Sequence, residues 1–89
     1  MILDILCIRN KGIGCYSNPW FTQAKLETEQ EGLARTLAFN SDARVKYKKC
    51  ALYHFGTFDD VTGKYDLLAE PKLLLDCDDV IAQIPEEKK

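Results

Sequence analysis

The sequence predicts an α+β domain: a small antiparallel four-stranded sheet covered by one main helix, in the order β-β-α-β-β with a short C-terminal helix or strand. Three observations predict it. Cys50 to Leu68 reads as a β-hairpin, dense in aromatic and apolar residues around the turn residues Asp60-Val61-Thr62-Gly63. Thr28-Glu29-Gln30-Glu31 has the spacing of a helix capping box and is followed by apolar residues at helical period. Ile2 to Arg9 and Trp20 to Leu26 are short runs that suit strands.

In chain order, Ile2 to Arg9 puts Leu3, Ile5 and Cys7 on one face and Ile2, Leu6 and Ile8 beside Asp4 on the other, so both faces are largely apolar. Lys11-Gly12-Ile13-Gly14 is a connection; its glycine spacing is not that of a phosphate loop, and no helix start follows it. Asn18-Pro19 marks a turn, because proline disfavours helical geometry in the residue before it. Trp20, Thr22, Ala24 and Leu26 share one face of the second strand. The helix is expected from Thr28 to about Phe39, with Leu33, Leu37 and Ala34 in its buried stripe and Asn40-Ser41-Asp42 ending it.

Asp42 to Lys49 reads as a polar, basic connection. The hairpin follows, with Asp60 bonding the turn backbone, Gly63 at positive φ and Lys64 to Leu68 returning. Pro71 is expected to break that strand. Leu73 to Leu75 reads as an edge strand or as the start of a last helix near Asp78 to Ile84, and 86–89 as a charged tail beyond a single domain of residues 1–85. One helix covers one sheet face, whereas Ala51, Tyr53 and Phe55 point one way and Leu52 and Phe58 the other. A second covering layer is therefore needed, and a homodimer is the simplest source.

The 89 residues suffice for one domain with a marginal core, and 46% hydrophobic content suits a globular chain. The net charge of −2 is unevenly spread: residues 1–58 hold eight Lys/Arg against five Asp/Glu, residues 59–89 four against nine. Such a chain can bind polyanions on one part of its surface and repel them on another. Asp4 interrupts the first apolar run, so no signal peptide or membrane span is expected. Cys7, Cys15, Cys50 and Cys77 then read as reduced thiols in an intracellular protein. Neither a metal site nor a cofactor is expected, since no two cysteines have CxxC spacing and His54 is the single histidine. Asp59, Asp60, Thr62 and Asp66 lack the spacing of a calcium loop.

The chemistry-bearing stretch is Arg44, Lys46, Tyr47, Lys48 and Lys49, where cations surround one aromatic residue. Single-stranded nucleic acid is bound by that combination, cations following phosphates and a ring stacking on a base. A solvated basic loop has the same composition. Arg9, Lys11 and Arg35, with Lys25, extend the patch if the fold gathers them, and Tyr16 and Trp20 are further rings suited to stacking. His54 reads as a packed side chain; a thiol–imidazole pair with Cys7 or Cys50 would be needed for catalysis, and no signature supports one.

Leu52-Tyr53-His54-Phe55 followed by GTFDDVTGKYDLL (Gly56 to Leu68) carries a family resemblance. Tyr16-Ser17-Asn18-Pro19-Trp20-Phe21, a Y-x-x-P-aromatic-aromatic arrangement, and the helix segment Gly32 to Phe39 support it. Over about residues 2–75 the chain resembles the small nonstructural protein of gokushovirus-type microviruses, tailless bacteriophages with circular single-stranded DNA genomes. The resemblance implies a non-capsid protein in the cytoplasm of the infected bacterial host, and no catalytic role is expected from the residues themselves. It also implies DNA binding during single-stranded genome synthesis or the switch to packaging. The alternative expectation is an adaptor that recruits a host or phage replication or capsid protein through an apolar sheet face.

Overall fold

A computed structural model describes residues 1–17 and 19–84. Both Asn18 of the expected turn and the charged tail lie outside the described residues. The domain is α+β, with one antiparallel sheet and three helices among the described residues. β1 (Ile2–Asn10) is central. One of its edges pairs with β4 (Cys50–Asp59), which pairs in turn with β5 (Lys64–Asp76). Its other edge is shared by two short strands, β2 (Cys15–Tyr16) and β3 (Trp20–Thr22). The expected four strands are thus five. The second expected strand ends early, at Thr22.

The turn between β4 and β5 holds Gly63 at φ 75°, as its chemistry requires. Asp59 makes the side-chain bond expected of Asp60, accepting from the Val61 amide at 2.9 Å. Asp60 instead receives the Met1 ammonium at 2.8 Å. Pro71 does not end the strand. Opposite Phe55, between the Gly56–Leu67 and His54–Lys72 pairs, β5 bulges through Leu68, Ala69, Glu70 and Pro71. A missing N–H costs nothing in such a bulge on an edge strand. Gly56 sits at φ 145°, and a β-carbon there would fall 2.7 Å from the Leu67 α-carbon. The close approach of β4 and β5 therefore requires glycine.

α1 (Leu26–Phe39) begins two residues before the expected cap. Thr28 is consequently inside the helix. Thr22 serves the helix start instead, accepting from the Ala24 amide at 3.0 Å and donating to Glu29 at 3.2 Å. The basic connection is in fact α2 (Ser41–Lys46), because Asn40 accepts from the amides of Asp42 and Ala43 and so caps a new helix. α3 (Cys77–Gln83) is capped by Asp76, whose carboxylate accepts from the Asp78 amide.

The helices share one sheet face. Leu37, Ala43, Cys50 and Cys77 form the buried centre there, flanked by Ile8, Leu33, Tyr47, Val80 and Ile81. Leu6 and Leu52 are fully buried on the same face. Register puts Ile5, Cys7, Arg9, Ala51 and Tyr53 on the opposite face. No helix among the described residues is long and apolar enough to cross a membrane.

Candidate nucleic-acid interface

The basic stretch divides once it is folded. Arg44 turns back on α1, where its Nε donates to the Leu37 carbonyl at 2.6 Å and its Nη2 to the Ala38 carbonyl at 2.7 Å. α1 has no basic residue of its own in its last turn. The guanidinium satisfies carbonyls that a helix end leaves open, so Arg44 is a structural cap. Lys11 is held by Asp76 at 2.8 Å and by Asp78 at 3.3 Å. Arg9 lies on the helix-free face, 5.4 Å from the Tyr16 ring centre. Arg35 stands exposed on α1. These four side chains do not extend one patch.

Lys46, Tyr47, Lys48 and Lys49 remain together at the end of α2. Lys46 and Lys48 are exposed, and Lys46 Nζ lies 5.4 Å from the Tyr47 ring centre. Lys49 adopts φ 65°, unusual for a residue with a β-carbon, and its amide donates to Asp78 at 2.8 Å. That contact holds the Asp78 carboxyl below the usual aspartate range, with the Lys11 ammonium as a further cause.

Beside them is an open groove of about 510 Å³ between α2 and β1, β2 and β3. Trp20 and Tyr47 line it, together with Ile8, Asn10 and Lys46. Lys46 is the single charged residue among its lining residues, and none is acidic. A second hollow of about 280 Å³ shares Ile8, Trp20 and Tyr47 and continues along α1 past Gly32 to Glu29. A β-carbon on Gly32 would meet nothing within 4 Å, so glycine leaves that wall open. The two hollows make one trough, cationic at the Lys46 end and acidic at the Glu29 end.

Asn10 was not among the residues singled out from sequence. Its Oδ1 accepts from the amides of Gly12 at 2.8 Å and Ile13 at 3.3 Å, ordering the turn after β1. Its NH2 has no hydrogen-bond partner among the described residues and is available to an acceptor in the groove. An Asn two positions before a glycine was the available signal for the turn; its place in a groove depends on β1 facing α2.

No family model, curated protein or solved structure matches the chain.

Of the remaining reactive groups, Cys15 is exposed and lines the groove, whereas the others sit apart from this trough or are buried. His54 Nε2 is 3.0 Å from an Asp4 carboxylate oxygen on the helix-facing side of the sheet. Cys7 projects from the other face and donates to the Ser17 carbonyl at 2.7 Å. Burial pushes the thiols of Cys7, Cys50 and Cys77 up, Cys77 to about 11. Among the described residues, no three His, Cys, Asp or Glu side chains converge as a metal site.

Proposed function

We propose that this chain is a non-catalytic binder of single-stranded DNA, acting as a nonstructural phage protein in the cytoplasm of an infected bacterium. The observation that carries the reading is the acid-free groove in which Lys46 meets Trp20 and Tyr47. A cation beside flat aromatic walls matches the two parts of a nucleotide: the ammonium draws a phosphate, and the rings stack on a base regardless of its identity. Lys48 and Lys49 lengthen the phosphate track beyond Lys46. The Asn10 amide group supplies a hydrogen-bond donor toward a base carbonyl or ring nitrogen. The resemblance of Gly56 to Leu68 to the microvirus protein suggests the context, strand handling during genome synthesis or the switch to packaging.

The mechanism is stoichiometric: each chain holds a short stretch of strand, and release follows from higher salt or competition by a tighter binder. Fluorescence anisotropy of a labelled single-stranded oligonucleotide, titrated at low and high salt, tests it. Binding that weakens steeply with salt is expected, and Lys46→Ala together with Lys48→Ala should flatten the salt dependence by about two phosphate contacts. Absence of binding at low salt overturns the reading.

A further inference from the structure

The sheet face opposite the helices is unusually aromatic. Tyr16 meets Tyr53 and Phe55 edge-on, with ring centres 5.7 and 5.1 Å apart. Phe21, Phe58 and Tyr65 form a second cluster, with Phe58 and Tyr65 centred 4.7 Å apart. Beneath these rings Ile5 and Cys7 are buried, although no helix lies over them. The rings therefore act as a thin second layer that is itself still wet. Tyr65 is 55% exposed, and the neighbouring Leu67 and Leu73 on the same face are 61% and 50% exposed.

We infer that this face is the interface with a second copy of the chain, the two aromatic layers packing together across a two-fold axis. The charge pattern chooses the occupant. Register places two charges of opposite sign on this face of β1, β4 and β5, Arg9 and Asp76, which flank Ala51 at one end, and Asp76 is already matched by Lys11 at 2.8 Å, so little there attracts phosphates or repels an identical face. The dimension also fits. The molecule measures 55 × 26 × 17 Å, and one broad side supplies an area of the order of the roughly 800 Å² per partner that standard interfaces bury. A two-fold axis matches like with like, which suits a face of one chemistry. The inference rests on different observations from the nucleic-acid groove, whose Trp20, Lys46 and Tyr47 lie on the helix side and which shares Tyr16 with this face.

Sedimentation equilibrium of the whole chain at micromolar concentrations tests this. The expected mass is twice the 10.1 kDa of the chain. Tyr65→Lys with Leu67→Lys, both at exposed positions, should weaken the dimer at least about tenfold while leaving the far-ultraviolet circular dichroism unchanged. Leu73→Lys replaces that pair if the dichroism is lost. Val45→Lys, exposed on α2, should leave the mass unaltered. A monomeric wild type overturns the inference, and so does a dimer indifferent to the sheet-face substitutions. A monomer whose tyrosine fluorescence answers to an oligonucleotide also overturns it, in favour of bases on this face.

Discussion

The backbone amide of Lys49 donates to the side chain of Asp78 at 2.8 Å, tying the turn after α2 to the first turn of α3. Lys49 pays for that position with a left-handed backbone, φ 65°. Lys49→Gly removes the β-carbon clash while keeping the amide donor. The strain at such a position is roughly 1 kcal/mol, so urea unfolding should shift to a higher midpoint by about that amount with an unchanged slope.

Acid should destabilise the domain through the same contact. The Asp78 carboxyl is lowered from 3.8 chiefly by the Lys49 amide, and that of Asp59 chiefly by the Val61 amide. A carboxyl lowered in the folded state binds fewer protons there than in the unfolded chain. Its stabilisation is present above about pH 4 and lost as pH falls through the folded value. In Asp78→Asn the thermal midpoint should be lower at neutral pH and should fall less between pH 5 and pH 3, two values bracketing the ordinary aspartate pKa of about 3.9. Parallel curves for the two proteins would refute the assignment.

The thiols should sort by burial. Cys15 is exposed, whereas Cys7, Cys50 and Cys77 are buried. A disulfide reagent at neutral pH should titrate one thiol rapidly and the other three at the rate of unfolding. Cys15 also lines the groove. A saturating oligonucleotide should slow its modification, and unchanged reactivity under saturation would place the strand elsewhere.

Gly32 separates helix stability from groove access. It sits inside α1 with open space at its β-carbon position. Gly32→Ala should stabilise the domain by about 0.5–1 kcal/mol, because alanine loses less backbone entropy in a helix. Gly32→Trp should fill the trough and weaken oligonucleotide binding with little change in its salt dependence. A Gly32→Trp variant that binds like the wild type would exclude this part of the trough from the site.

Leu37 is fully buried at the centre of the helix-covered core. Leu37→Ala should cost about 2–5 kcal/mol, a large fraction of the stability of so small a domain, as read by chemical denaturation.

Local chemistry by itself determined much of this protein. The alternation of β1, the Asp–Gly turn of the hairpin, the apolar stripe of α1 at Leu33 and Leu37, and the α+β class were all legible, because each depends on neighbours within a few residues. So was the presence of rings and cations in 44–49. Tertiary structure alone decided the rest. Asn40 could end one helix or cap the next until its carboxamide met the amides of Asp42 and Ala43. Pro71 breaks a ladder only where a ladder bond is due, and the bulge opposite Phe55 removes that demand. The fate of each cation was equally illegible, since charge is a property of a residue and availability is a property of its surroundings. Arg44 closes a helix and Lys11 is matched by two carboxylates remote in the chain, whereas Lys46 shares a groove with Trp20, a residue that only the folding of β3 along β1 places there.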